Sequence, residues 1–165
     1  MKPGTPKFSN KNGFGVVEII VATTVIGIVL ASLAQAGSAS FSLARRSSDR
    51  TEAAFLLKEG VEATRFLRDK SWSANINNLS QNQDYYFLFS GSDYQFTASA
   101  QPFLSGKFQR VARVFEVKRN AQSDIDSVGT VDLLTKRFEI SVSWFSGGAT
   151  TTESVEFYLT NLFDN

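Results

Sequence analysis

Residues 14–36 read FGVVEIIVATTVIGIVLASLAQA, an apolar run broken by a single charge, Glu18. As an α-helix rising about 1.5 Å per residue, the run reaches roughly 35 Å, enough to cross the hydrocarbon core of a bilayer. Its polar members, Thr23, Thr24, Ser32 and Gln35, are uncharged. The run lacks the polar face that a helix half-immersed in water shows at helical period. A chain built around such a segment is a membrane-anchored or exported protein before it is anything else.

The thirteen residues ahead of it, MKPGTPKFSNKNG, carry three lysines, two prolines and no acid. This basic leader is similar to the charged start of a secretory signal, although the apolar run is long for a signal peptide. Ala34-Gln35-Ala36 keeps a conventional signal-cleavage reading open. Arg45, Arg46 and Arg50 follow the run, so lysines before it and arginines after it nearly balance. Charge counting therefore does not orient the helix.

Composition narrows the chemistry. The 165 residues include no Cys and no His, which removes disulfides, thiol and imidazole catalysis and the commonest transition-metal ligands. A formal net charge of +1 gives no electrostatic case for nucleic acid. No phosphate-binding loop, dinucleotide fingerprint, zinc spacing, nucleophile elbow or internal repeat is present.

Gly13-Phe14-Gly15-Val16-Val17-Glu18 is the most specific pattern in the chain. Together with the lysine leader and the apolar run, it resembles the processing site of type IV prepilins and type II secretion pseudopilins. The resemblance covers roughly residues 1–50. It implies cleavage after Gly13, N-methylation of the new first residue Phe14, and a role in assembly for Glu18. Gly27 also falls where the family often has glycine. Two positions depart from the pattern: Gly15 stands where Thr or Ser is common, and Gln35 where many members have Pro, which removes the case for a proline kink.

The chemistry of that pattern is intelligible. A carboxylate within a membrane helix costs about 2.5–3.5 kcal/mol, so it usually has a partner or a task. Cleavage would give Phe14 a cationic α-amino group. A neighbouring subunit's Glu18 could pair with that cation in a low-dielectric setting and so fix axial register. A lone Glu18 would read instead as a residue snorkelling to the headgroups.

Further along, Ala53, Leu57, Val61, Thr64 and Leu67 share one face at helical spacing, with Phe41, Arg45, Glu52, Glu59 and Glu62 away from it. No Pro interrupts residues 14–70, which predicts one helix of about 50 residues ending near Lys70. Residues 71–109 are poorly periodic. SANINNLSQNQ reads as loop, and DYYFLFSGSDYQFTAS as strands around a Gly-Ser turn. Its aromatics Tyr85, Tyr86, Phe87, Phe89 and Tyr94 read as core and sheet, or else as a surface-binding patch.

Three strands follow. The first runs through Val111, Val114 or Phe115, and Val117; the second through Phe138, Ile140, Val142 and Trp144; the third through Val155, Phe157 and Leu159. Ser146-Gly147-Gly148 is a hairpin turn between the last two. Residues 120–132, with Asp124, Asp126 and Asp132, read as a solvated turn, or else as an oxygen-rich loop that binds calcium, although EF-hand spacing is absent.

These readings give an α+β fold: a long N-terminal helix, membrane-spanning in its first half, packed on a small antiparallel β-sheet, a pilin-like arrangement. The expected divisions are a leader (1–13), a membrane half-helix (14–36), an amphipathic half-helix (37–70) and a β-rich globular domain (71–165). The resemblance implies a non-enzymatic filament subunit, a minor pilin or pseudopilin, with no cofactor and no metal. Implied partners are other pilin or pseudopilin subunits, the prepilin peptidase and methyltransferase, an inner-membrane assembly platform and the lipid bilayer. The implied location is a single pass through the inner membrane, then an extracytoplasmic filament or the cell surface. The alternative is a membrane-anchored extracytoplasmic binding domain that never polymerises.

Overall fold

The computed structural model describes residues 15–91 and 93–162. Helix α1 spans Val16–Lys70, 55 residues without a break. Gly15 starts it, its carbonyl accepting from the amides of Glu18 (2.9 Å) and Ile19 (3.3 Å). Glu18 in the first turn and Arg68 and Lys70 in the last place charge where the helix dipole favours it.

The chain divides into two compact units, with the boundary between Arg45 and Arg46. In the described part of the first, α1 stands alone, and none of its most apolar eighteen-residue window is buried. In the second, Ala53, Gly60, Ala63, Thr64 and Leu67 turn inward and are buried. Four strands pair antiparallel in the order β4-β3-β5-β6, with β3 at Gln109–Arg119, β4 at Ile125–Asp126, β5 at Thr130–Ser146 and β6 at Ala149–Thr160. A separate hairpin joins β1 (Tyr86–Ser90) to β2 (Asp93–Thr97). This is an α+β arrangement of a long apolar N-terminal helix on antiparallel sheets.

The core lies between the second half of α1 and the inner face of β3, β5 and β6. Leu67 belongs to one buried cluster with Ala112, Val114, Phe138, Ile140 and Leu159, and Ala53 to a second with Phe108, Val142 and Trp144. The alternation expected for the second strand is realised in β5: Phe138, Ile140, Val142 and Trp144 are all buried. The Gly147-Gly148 turn is also as expected, with φ of +63° and +88°, the left-handed backbone of a tight two-residue hairpin.

Three sequence readings are corrected. In β3 the buried positions are Arg110, Ala112, Val114 and Val117, so Val111 faces outward. A register shift between Glu116 and Val117 moves the inner face from even to odd positions. The same irregularity lets β5 begin at Thr130, inside a stretch expected to be a turn, because Leu133, Leu134 and Thr135 are left over between the two registers. Finally, SANINN is not all loop. Trp72–Asn75 forms a one-turn helix, α2, whose Ser71 hydroxyl accepts from the Ala74 amide, and Ile76 behind it is fully buried.

Candidate membrane and assembly site

Gly13 and Phe14, the expected cleavage and methylation site, lie outside the described residues. Glu18 sits in the first turn of α1 and is exposed. Among the described residues no hydrogen bond or ion pair reaches its carboxylate. Nothing lies near Gly27, whose missing side chain leaves open space.

Around Glu18 the helix is apolar on every side. Ile20, Ile26, Leu30 and Leu33 remain 57–62% exposed, far more contiguous apolar surface than a protein leaves to water. The hydroxyl side chains in this stretch are satisfied locally. Thr23 donates to the Ile19 carbonyl (2.9 Å), Thr24 to Ile20 (2.7 Å) and Ser32 to Ile28 (2.8 Å). Hydroxyls bonded back to their own helix leave no donor unpaired, so they can enter a hydrocarbon phase at little cost. Glu18 brings the one charged group of the run, and among the described residues no hydrogen bond of the helix satisfies it. Among the described residues this is one helix long and apolar enough to cross a membrane.

The arginines beyond the run divide in their engagements. Arg50 approaches Glu153 at 3.6 Å with most of its side chain in solvent. Arg46 lies against the β5–β6 turn, where a side chain added to Gly147 would come within 3.2 Å of its guanidinium. Arg45 and Arg46 have no ion pair among the described residues.

The aromatic group does not converge into one patch. Tyr85 is buried and Phe87 packs against the core, each with a ring contact to Phe96 (6.0 and 5.1 Å between centroids). Phe89 leans on Tyr94 near the hairpin end and stays exposed. The aspartates are likewise separated in role. Asp132 accepts from Arg119 Nε at 2.6 Å. Asp126 accepts from the Val128 and Ser127 amides and from Asn120, which hold its carboxyl below the usual range. No group of acidic residues able to hold a metal ion is found among the described residues.

One engagement had no signal in the sequence. Glu59, expected to lie away from the packing face, reaches around the helix to accept from Arg110 and from the Tyr94 hydroxyl (3.0 Å). Arg110 occupies an inward position of β3, where the alternation pattern leads one to expect an apolar side chain.

No protein-family model, no curated protein and no solved structure matches the chain.

Proposed function

We propose that this chain is a prepilin-like subunit: a single-pass inner-membrane protein, cut after Gly13, methylated on Phe14, and assembled through its N-terminal helix into a pilus or a secretion pseudopilus. The observation that carries this reading is the setting of Glu18. It is the one charge of the apolar run 14–36, it lies four residues after Phe14, and among the described residues nothing engages it. A carboxylate so placed needs a cation, and the new α-amino group of a neighbouring copy is of the right sign and the right depth.

In this reading the subunit is non-catalytic and uses no cofactor. Its partners are other pilin or pseudopilin subunits, the peptidase and methyltransferase that process it, and an inner-membrane assembly platform. The bare helix serves two states, since passing from lipid into a helical bundle changes its apolar burial little. The shape of the second unit, with half of a long helix laid on an antiparallel sheet, suits a pilin-like globular domain.

Processing is tested in membranes that hold the full chain together with a prepilin peptidase. The wild type is expected to lose its thirteen-residue leader, and Gly13→Leu to keep it. Cleavage at another bond, or equal cleavage of both chains, overturns the assignment.

A further inference from the structure

We infer that the open edge of β6 is a docking site for an extended segment of another polypeptide, one that carries a Lys or Arg between two apolar residues. The inference does not depend on how the N-terminus is processed.

β6 pairs with β5 alone and forms one side of the four-stranded sheet. Its register against β5 runs unbroken from Ala149 to Thr160, with no Pro, no Lys and no bulge. Edge strands are ordinarily short, bulged, or guarded by Lys or Pro, because their free main-chain groups recruit other strands. The opposite edge follows that rule, since β4 has only two residues.

The turn fixes which main-chain groups are free. Gly147 and Gly148 both have positive φ, so Ser146 and Ala149 are the hydrogen-bonded pair that closes a two-residue hairpin. Bonded positions then recur at every second residue of β6, at Thr151, Glu153, Val155 and Phe157. The Asn161 amide keeps the same phase and donates to the Leu134 carbonyl of β5 (2.8 Å). The residues between them, such as Thr152, Ser154 and Glu156, turn N–H and C=O away from β5. Among the described residues no hydrogen bond reaches those groups.

Two rows of side chains specify what fits. On the helix side, Val155 and Phe157 pack against the core but are only partly buried, with no strand beyond them. Apolar residues of an added strand would complete their burial. On the other face, Arg113, Glu139 and Glu156 are successive neighbours across β3, β5 and β6. Glu139 and Glu156 stand directly opposite each other, an unfavourable like-charge pair. Arg113 pairs with Asp84 and Arg137 with Glu156, while Glu139 has no ion pair among the described residues. A cation opposite Glu156 on an added strand would supply the missing charge.

A second copy does not bring that cation on a strand edge. β6 has no Lys or Arg, and neither have β1, β2 and β4, the other edge strands. The occupant is a segment of a different polypeptide, reading apolar–basic–apolar and adding itself to the sheet by main-chain hydrogen bonds.

The test uses the full chain in detergent micelles and two short synthetic peptides that alternate Val with Thr, one with Lys at a central Thr position and one with Glu there. Affinity is read by fluorescence anisotropy, and hydrogen exchange is resolved to single amides. The lysine peptide should bind about tenfold more tightly than the glutamate peptide, and Glu156→Gln should erase that preference. At saturation the amides of Thr152, Ser154 and Glu156 should exchange about tenfold more slowly or less. Ser154→Pro removes an edge amide that β5 does not use, and should abolish binding. No binding of the lysine peptide at millimolar concentration, equal affinity for the two peptides, or binding that leaves these three amides unprotected overturns the site. Protection that appears without peptide and grows with the concentration of the chain overturns the foreign segment in favour of self-pairing.

Discussion

Glu59 and Arg110 pair across the junction of helix and sheet, Oε2 to Nη1 at 3.3 Å, with the arginine side chain 5% exposed and the glutamate 48%. The pair is unequal. Arg110 is interred, with its guanidinium also donating to the Leu56 carbonyl (3.0 Å) and lying over the Phe87 ring (4.7 Å), while Glu59 remains in reach of water. Removing the exposed partner strands a buried cation; removing the buried one leaves a carboxylate that water can solvate. Glu59→Ala should therefore destabilise the folded unit by about 1–3 kcal/mol, whereas Arg110→Met should cost less than about 1.5 kcal/mol. Urea unfolding followed by near-UV circular dichroism checks the order, and a larger loss for Arg110→Met would contradict it.

Gly60 sets how closely the helix approaches the sheet. A methyl group there would lie 2.9 Å from Ile140 Cγ2 and 3.2 Å from Arg110 Cδ, and Ile140 is fully buried with nowhere to retreat. The gain in helix propensity from Gly→Ala is about 1 kcal/mol, against an overpacking cost of about 1–3 kcal/mol. Gly60→Ala should lower the melting temperature. The same change at Gly27, where no atom lies within 4 Å, should leave the folded unit unaffected.

Acid should act partly through Asp132. Burial alone would raise its carboxyl, but hydrogen bonds from Arg119, from Thr135 and from the Leu134 amide outweigh that, and the group is held below the ordinary carboxylate value. A depressed folded value means that the contribution to stability is complete above about pH 4, where an unfolded Asp titrates, and is lost as pH falls through the folded value. Asp132→Asn should lose less stability than the wild type as the pH is lowered below about 4. Parallel stability curves for the two proteins would show that Asp132 contributes nothing to the acid response.

Much of this architecture was legible because single elements are strongly periodic. The apolar run, the inward stripe from Ala53 to Leu67 and the strict alternation from Phe138 to Trp144 each dictate one element and one face. The illegible parts are those where a residue departs from its local pattern for a tertiary reason. Arg110 reads as a polar residue facing out, yet it turns inward because Glu59, the Leu56 carbonyl and the Phe87 ring receive it. Val111 lost its expected place to Ala112 by the same choice of register. The early start of β5 depends on three left-over residues between two registers, which no period of two can announce. Of the candidate site, Glu18 was legible as a lone charge in an apolar helix, whereas the contact of Arg46 with the Gly147 turn required the fold.

Assembly should depend on the carboxylate of Glu18. Glu18→Ala removes the only charge of the apolar run, so membrane insertion should be at least as efficient as in the wild type while recovery in sheared filaments falls. Comparing membrane and filament fractions by immunoblot separates the two steps. Normal incorporation of the variant would refute the pairing assigned to this residue.

The central claim is tested most directly by the intact mass and N-terminal sequence of the chain recovered from the membranes of cells that naturally make it. The account predicts a chain that begins at Phe14 and is heavier than the plain sequence by one methyl group. A chain that begins at Met1, or one cut near Gly37, would contradict prepilin processing and leave an anchored or secreted domain in its place.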